Sequence, residues 1–282
     1  MSAVLLPGDM PCQRWREGRA SYRPRGETID ASKYEVAPVD KIEAKTFVET
    51  HHYSGSTSSR RRTHGLFRGA SLVGVAIYGN PLRNCVLTSV FPGDPKESTE
   101  LARFVLLDDV EANGESWFLA RSMKLLGKEG FRGVVSFSDP MVREDDAGNV
   151  VMPGHVGTIY QATNATYLGQ RRGDYVNLLR NGQIFVRRAK TKIESGDTGW
   201  AYAVRQLVRA GAKVPHCLAR DVPDLTELSL WVNHWLPRLS RRVKHPGNHK
   251  YAFGLSKREK KKLPDGLNYP KKKCEVCGEV HA

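Results

Sequence analysis

Long apolar runs are missing from this chain. No segment approaches the roughly 20 apolar residues that a transmembrane helix requires. Within residues 1–25 the only apolar segment is AVLL, which is too short for the core of a signal peptide. Cysteine is also scarce, because 282 residues contain only five, at scattered positions, as in proteins of a reducing compartment. We therefore expect a cytosolic protein without a membrane partner.

Acidic residues are too few to balance the basic ones. Lys and Arg number 44 against 30 Asp and Glu, which gives a net charge of +14. Such a surplus indicates a polyanionic partner, nucleic acid before anionic membrane. The window 238–273 holds thirteen basic residues against Glu259 and Asp265, and aromatic residues interleave with them. That mixture favours a surface that binds phosphates and stacks on bases, and a solvated tail is the alternative.

The order of predicted elements is that of an α/β protein. Alternating and apolar runs predict strands, and a 3.6-residue period with capping residues predicts helices. In chain order we expect a strand, a helix from about Pro38, a hairpin, a strand at 99–109, a helix at 112–130, a strand at 131–140, a helix and a hairpin. This order predicts a mixed central sheet flanked by helices, with a basic C-terminal extension. The predicted divisions are an arm at 1–34, a catalytic domain at 35–195 and a helical or tail extension at 196–282.

One stretch of helix length carries no charge at all. GHVGTIYQATNATYLGQ, residues 154–170, contains no Asp, Glu, Lys or Arg. As a helix it would place one polar-aromatic stripe on a single face: Val156, Ile159, Tyr160, Thr163 and Tyr167. The stretch is either a core helix whose hydroxyls find buried partners or the wall of a pocket. Asp139 ends the preceding strand and His155 opens the stretch, at the strand end where ligands of open α/β sheets bind, which favours the pocket.

The element order resembles the GNAT acyltransferase superfamily. In that superfamily a strand leads into a loop whose backbone amides hold the pyrophosphate of an acyl-CoA, and ELARFVLLDDVEANGESWFLA occupies that place. A helix N-terminus has unpaired N–H groups that suit phosphate, and an ordinary helix start is the alternative. The resemblance implies a set of donor-binding residues: Asn113, Gly114, Glu115, Ser116 and, on the next helix, Asn164.

Four motifs resemble the Mom family of phage DNA-modification proteins. They are HHYSG, ELARF, SFSDP with the charge-free stretch, and HPGNHKYAFGLS, and the resemblance covers about 35–265. It implies a GNAT-related enzyme of the host cytoplasm that converts adenine in phage DNA to a carbamoylmethyl derivative and so protects that DNA from restriction. It further implies a donor of acyl type, a bound iron and duplex DNA as the acceptor.

Adenine chemistry defines the groups that such a site needs. The exocyclic amine is a poor nucleophile inside a duplex, so the base must be flipped out, and a base and an oxyanion donor are required. We expect the two central strands to splay and form a slot for this reaction. Asp139 is the candidate base or metal ligand, with a turn cap as the alternative. The candidate acids or oxyanion donors are Tyr53, Tyr160 and Tyr167.

Metal and nucleic-acid ligands complete the predicted sites. Imidazole and carboxylate suit iron, and His52, Asp139 and His155 are the candidates. The terminal Cys274, Cys277 and His281 have zinc spacing, with His245 or His249 as a fourth ligand. Phosphate contacts are expected from seven basic residues: Arg60, Arg61, Arg62, Arg241, Arg242, Lys244 and Lys250.

The donor and the reaction class stay open at this point. Acetyl-CoA is the superfamily's donor, but acetyl transfer does not connect the atoms of a carbamoylmethyl adenine. A glycyl donor does, and glycyl-tRNA would also explain the basic window. Two other functions compete with adenine modification: acyl transfer to protein or small-molecule amines, and DNA binding without catalysis.

Overall fold

The computed structural model describes residues 28–52, 54, 56–57, 59–152 and 154–271, and the backbone of 12–16 and 19–23. Contacts divide the chain into two compact units. Unit 1 comprises 1–140, 154–171 and 248–282, and unit 2 comprises 141–153 and 172–247. These divisions differ from the predicted boundaries after residues 34 and 195, because the chain leaves unit 1 twice and returns to it.

Unit 1 is built on a seven-stranded mixed sheet with the strand order β10-β14-β7-β6-β5-β4-β3. Its strands are β3 (Tyr34–Pro38), β4 (Arg62–Arg68), β5 (Ser71–Gly79), β6 (Ser98–Leu106), β7 (Gly133–Ser138), β10 (Thr166–Gln170) and β14 (His249–Gly254). Only β6 and β7 are parallel, and every other neighbouring pair is antiparallel. A separate hairpin joins β1 (Cys12–Arg16) and β2 (Arg19–Arg23).

Helices cover both faces of this sheet. They are α1 (Lys41–His51), α2 (Cys85–Thr88), α3 (Gly114–Lys128), α4 (Thr158–Ala162) and α9 (Lys257–Lys261). The α3 face carries Leu101, Val134 and Tyr251 and packs on α3 and α4. The α1 face is the opposite one, on which Val75, Ile77 and Val105 pack against α1 and Val135 and Ala252 pack against α2. This mixed sheet flanked by helices confirms the predicted fold class.

Most predicted elements are confirmed within a few residues. The predicted helix at 112–130 is α3, and the predicted strands at 99–109 and 131–140 are β6 and β7. The Asn181-Gly182 hairpin is also present, with Gly182 at a φ of 74°, in the left-handed region that such turns require.

The predicted helix over the charge-free stretch is wrong. Only Thr158–Ala162 is helical, and Thr166–Gln170 is strand β10. Asn164 lies between them with a φ of 57°, a left-handed conformation that a helix cannot continue through. Backbone pairing of Tyr167 with Tyr251 then holds the following residues in the sheet.

Part of the predicted C-terminal extension is integral to the fold. β14 lies between β7 and β10 in the large sheet, so the basic window contributes an inner strand rather than only a tail. Because a sheet pairs residues that are far apart in sequence, hydrophobic alternation in this window does not reveal which strands lie beside β14.

Unit 2 combines small sheets with four helices. Its strands are β8 (Arg143–Glu144), β9 (Val150–Met152), β11 (Asp174–Leu179), β12 (Ile184–Phe185) and β13 (Ser240–His245), and its helices are α5 (Arg187–Ser195), α6 (Trp200–Arg209), α7 (His216–Arg220) and α8 (Leu225–Leu239). β11 is the centre of a three-stranded sheet between β12 and β13. Its core is formed by Phe185, Ile193, Val204 and Leu228, all at 0% exposure. Among the described residues, no helix combines the length and apolarity needed to cross a bilayer.

Candidate active site

The two parallel strands of unit 1 separate at their carboxyl ends. β6 and β7 pair from Ser98 opposite Gly133 to Leu101 opposite Ser136. Beyond that point β6 continues along β5, and β7 continues along β14. The two central strands therefore stop pairing beyond Leu101 and Ser136, and we call the place where they separate, at the edge where α/β sheets bind ligands, the opening. That it holds a donor and a base stays a prediction.

A bulge in β6 places two charged residues beside this opening. Arg103 pairs with Ile77 while Leu101 pairs with Tyr78, so Ala102 is an extra residue in the strand. Without a bulge, residues three apart point to opposite faces. With it, Glu100 opposite Gly79 and Arg103 opposite Ile77 share the α1 face. These two residues are part of the ELARF motif, but they are not among the site residues predicted from the sequence.

The Glu100 side chain lies half-buried beside this opening, one residue before β6 and β7 stop pairing. With the part of the chain that the structure describes it makes no hydrogen bond or ion pair. Burial raises the pKa of Glu100, and the guanidinium groups of Arg103 and Arg171 oppose that rise. Arg103 donates its Nε–H to the Ser56 carbonyl at 2.8 Å, and the Arg171 guanidinium lies 5.7 Å from the centre of the Phe137 ring. The carboxylate is thus flanked by cations that are held elsewhere, an arrangement typical of functional carboxylates.

His52 lies beside Arg103, directly after α1. Its side chain is 8% exposed, and its Nδ1 accepts the Ser54 N–H at 3.1 Å. Burial, Arg103 and His155 all lower the pKa of His52 well below its ordinary value. The imidazole is therefore neutral at physiological pH. Its neighbour Tyr53, a predicted catalytic residue, lies outside the described residues.

The predicted iron ligands do not form a metal site. In the described ranges no group of three or more His, Cys, Asp or Glu side chains is placed to hold a metal ion. His52 already uses Nδ1 for the Ser54 amide, and the Arg103 cation acts on the same imidazole, which disfavours a second cation there.

The predicted zinc ligands lie mostly beyond the described part of the chain. Cys274, Cys277 and His281 are outside it. Of the two proposed fourth ligands, His245 Nδ1 accepts the Gly247 N–H at 2.9 Å, and His249 Nδ1 bonds the Tyr167 hydroxyl at 2.8 Å. Each of these histidines therefore has a structural partner.

Asp139 and His155 meet at the end of β7, as their positions in the sequence predict. Asp139 directly follows Ser138, the last residue of β7. The Asp139 carbonyl accepts the His155 N–H at 2.8 Å. This bond fixes the loop that re-enters unit 1 next to the opening. The role of Asp139 as base stays a prediction.

The tyrosines of the charge-free stretch belong to the core. Tyr160 is 6% exposed, Tyr167 is 7% exposed, and both pack on the fully buried Tyr251. The Tyr167 hydroxyl bonds His249, and the Tyr251 hydroxyl donates to the Val156 carbonyl. This is the alternative of satisfied buried hydroxyls, and it corrects the expectation of a pocket wall. A catalytic role for Tyr160 or Tyr167 has no support in these contacts.

The start of α3 is where the donor loop was predicted. The helix begins at Gly114, after Asn113 with a φ of 65°. However, the Gly114 N–H already bonds the Glu111 carbonyl at 3.1 Å, and a Cβ at 114 would lie 2.6 Å from Val110. Packing therefore explains this glycine. Ser116 donates to the Asn113 carbonyl at 3.1 Å, and Glu115 adds a negative charge to the first turn.

Asn164, the fifth predicted donor ligand, lies 50 residues after Gly114 in sequence. It is exposed at the turn between α4 and β10. There it lines a surface cleft of about 430 Å³ together with Lys260, Lys261 and Tyr269. Its left-handed φ explains the residue type, because Asn tolerates that conformation better than most residues.

Three of the four unit 1 residues that are predicted to contact phosphate are arginines with hydrogen-bond or ion-pair partners within the chain. Arg61 donates to the carbonyls of Ser98 and Lys96. Arg62 pairs with Glu129 at 2.7 Å, and Arg60 donates to Thr57 at 2.9 Å. These bonds anchor the loop before β4, and phosphate binding by this arginine run stays a prediction.

The other four basic residues fall into two groups. Lys250 is half-buried on the α1 face and donates to the Val86 carbonyl and the Ser89 hydroxyl at 3.2 Å each. Burial and Arg171 lower the pKa of Lys250. In contrast, Arg241, Arg242 and Lys244 are exposed on β13 of unit 2.

Comparison with known proteins places this chain in a family. The model of the Mom protein family matches residues 33–217, which includes the whole opening between β6 and β7. The chain belongs to the Mom protein family. A relative of this chain, the methylcarbamoylase Mom of Escherichia phage Mu, is 30% identical to it over 139 residues. The match covers 48% of this chain and 53% of the Mu protein, so the chain spans about half the length of this curated relative.

Solved acetyltransferase structures overlap with this Mom-family chain only weakly. An N-acetyltransferase from Staphylococcus aureus Mu50 is 11% identical with a TM-score of 0.35, covering 79% of this chain and 99% of that chain. A tandem GNAT protein from the clavulanic acid biosynthesis pathway is 10% identical with a TM-score of 0.38 and the same two coverages. At such scores the fold assignment depends on the strand order described above.

Proposed function

We propose that this Mom-family protein is a transferase that converts adenine in phage DNA to its carbamoylmethyl derivative and so protects that DNA from restriction in the host cytoplasm. The observation that carries the proposal is the charged opening between β6 and β7, which lies within the range matched by the family. The name of the Mu relative, a methylcarbamoylase, supports the same product.

Glu100 is the group best placed to take a proton from the adenine amine. Attack of this amine on a carbonyl carbon puts positive charge on the nitrogen, and a carboxylate within reach removes the proton. Glu100 has no competing partner among the described residues, and its partial burial keeps its proton affinity above that of an exposed glutamate. Asp139, at the end of β7, is the second candidate for this role.

Duplex DNA presents the adenine amine only after base flipping. The base leaves the stack and enters a protein pocket at a cost of a few kcal/mol. The half-buried Phe137 on the α1 face, with the Arg171 guanidinium over its ring, supplies a flat apolar surface next to Glu100. Such a surface supports stacking of an unpaired base.

A glycyl donor accounts for every atom of the product. The adenine amine attacks the glycyl carbonyl, the donor's oxygen or sulfur leaves with the proton, and an amide with a free α-amine results. That amine then attacks the adjacent ring carbon through a five-membered spiro intermediate. The bond from this carbon to the original nitrogen breaks, and that nitrogen becomes the carboxamide. Glycyl-tRNA and a glycyl thioester are donors of this kind, whereas acetyl-CoA lacks the α-amine.

Nucleoside mass spectrometry of DNA from expressing cells tests the proposal. We expect a carbamoylmethyl adenine that carries label from isotopic glycine. Label from acetate alone would exclude the glycyl route. An unmodified adenine pool would exclude the function and favour acyl transfer to other amines or DNA binding without catalysis.

Glu100→Gln tests the assignment of the base. We expect the rate of adenine modification to fall about 10²- to 10⁴-fold with unchanged thermal stability. The wild-type rate should rise with pH through the raised pKa of Glu100, above its ordinary value of 4.5, because only the carboxylate accepts a proton.

The matched control is Glu35→Gln, since Glu35 is an exposed carboxylate on the edge strand β3. It should leave the rate unchanged. If Asp139→Asn removes the rise with pH and Glu100→Gln does not, Asp139 is the base.

A further inference from the structure

An aromatic ring on the small sheet of unit 2 is exposed between two cations. Tyr175 on β11 is 52% exposed. It pairs directly with Lys244 on β13, and Asn177 pairs with Arg242 two residues along, so these side chains share one face of the sheet. The Arg242 guanidinium lies 4.6 Å from the centre of the Tyr175 ring.

The cations of this face have no acidic partners. Arg242 and Lys244 are exposed on this face, and Arg241 is exposed on the opposite face of the same strand. None of the three forms an ion pair with the residues described between 28 and 271. Strand β13, SRRVKH, contains three basic residues and no acidic one. Arg242 and Lys244, two residues apart on the same face of β13, carry like charges that repel each other. A row of phosphates would relieve that repulsion and release counterions on binding.

The exposed ring points to unpaired bases rather than to a duplex. Bases in a duplex already stack on each other, whereas an unpaired base stacks on an aromatic side chain with a stabilisation of about 1–3 kcal/mol. The Arg242 cation over one side of the ring leaves the remaining exposed surface for such a base. Flanking arginine and lysine side chains then contact the neighbouring phosphates.

We propose that the β11–β13 face around Tyr175, Arg242 and Lys244 binds an unpaired stretch of DNA. The choice of DNA over RNA rests on the proposed function, in which DNA is the substrate. The binding surface itself is independent of the catalytic chemistry, because it involves no donor and no residue of the opening between β6 and β7.

Fluorescence anisotropy of the full chain with labelled single-stranded DNA tests this inference. Tyr175→Ala should weaken binding about 5- to 150-fold, and Tyr175→Phe should retain it, because the ring is what stacks. The matched control is Tyr202→Ala, since Tyr202 is a second exposed tyrosine of unit 2, at 39% exposure. This control should bind like the wild type. Arg242→Gln should make the slope of the logarithm of the binding constant against the logarithm of the salt concentration shallower, by the contribution of about one phosphate contact.

Three outcomes would overturn the proposal. The first is Tyr175→Ala binding single-stranded DNA as tightly as the wild type. The second is an equal loss in Tyr202→Ala, which would show that any exposed tyrosine contributes. The third is tighter binding of RNA of the same sequence, which would make RNA the partner. The binding assay contains no donor, so its result does not depend on catalysis. A chain that binds single strands in this assay but leaves adenine unmodified in expressing cells would refute the proposed function alone.

Discussion

The two faces of the large sheet differ sharply at the point where β6 and β7 separate. On the α3 face, Tyr160, Tyr167 and Tyr251 are buried against each other. On the α1 face, Glu100 lies half-buried and Arg103 donates to a loop carbonyl, with His52 beside them. The first face is closed by packing, whereas on the second the Glu100 carboxylate makes no hydrogen bond or ion pair with the described residues. This contrast is the reason that we propose the α1 face for the reactive groups.

The difference between the two faces shows that a buried charge in the sequence is a better sign of a functional site than a segment without charge. A stretch without charge in a basic protein suggests a pocket wall, yet here it forms core, because burying polar aromatic groups costs little once their hydroxyls are hydrogen-bonded. A carboxylate within an apolar strand is costly to bury. Its presence at position 100 of ELARF is therefore the stronger sign of function.

Gly157→Ala should produce the largest effect and tests whether the α3 face is closed. Gly157 has a φ of 79°, and a Cβ there would lie 2.8 Å from both Tyr160 and Tyr251. Backbone strain costs about 1–3 kcal/mol, and overpacking adds about 1–3 kcal/mol. We expect a loss of about 2–6 kcal/mol in the free energy of unfolding, measured by urea denaturation.

The matched control for this variant is Gly130→Ala. Gly130 has a φ of 89° and nothing within 4 Å of a Cβ, so it isolates the cost of the backbone strain. If both variants lose the same stability, the space between Gly157 and the tyrosines is open and the α3 face is not closed.

Tyr167→Phe should have a smaller effect and separates a structural from a catalytic tyrosine. Removing the hydroxyl leaves His249 Nδ1, bonded at 2.8 Å in the wild type, without a partner. An unsatisfied buried polar atom costs about 1–3 kcal/mol. We expect that loss in urea denaturation, with an unchanged rate of adenine modification per folded molecule. A loss of rate at full stability would assign catalysis to the α3 face after all. Tyr202→Phe, at an exposed position, is the control for stability.

Helix α3 and strands β6 and β7 were predictable because the signals for each lie within one short segment of the sequence. α3 has a capping turn and a continuous apolar stripe, and β6 and β7 are apolar runs of strand length. The splay between β6 and β7 followed from the family resemblance. The position of β14 between β7 and β10 was not predictable, because it depends on pairing between residues more than 80 positions apart.

The site was predicted less well for a geometric reason. Alternation along β6 puts Glu100 and Arg103 on opposite faces, and only the bulge at Ala102 brings them together. Bulges leave no reliable signal in one sequence when no glycine marks them. Similarly, the left-handed Asn164 that ends α4 is compatible with a helical pattern. The ELARF motif contains both Glu100 and Arg103, the residues of the proposed site.

Lowering the pH should have the smallest effect on the free energy of unfolding. It tests one buried histidine from each face of the sheet. Burial lowers the pKa of His64, which bonds Ser122 on the α3 face, and lowers that of His52 further. The unfolded chain therefore binds more protons than the folded one below pH about 6.5, so stability falls as the pH decreases, by up to about 1.4 kcal/mol per pH unit for each histidine. Melting temperatures between pH 8 and 5 should show this decline, and His52→Gln should flatten it more than His64→Gln. A decline that starts only below pH 4.5 would instead assign it to carboxylates such as Asp40, whose pKa is lowered by the amides that it caps.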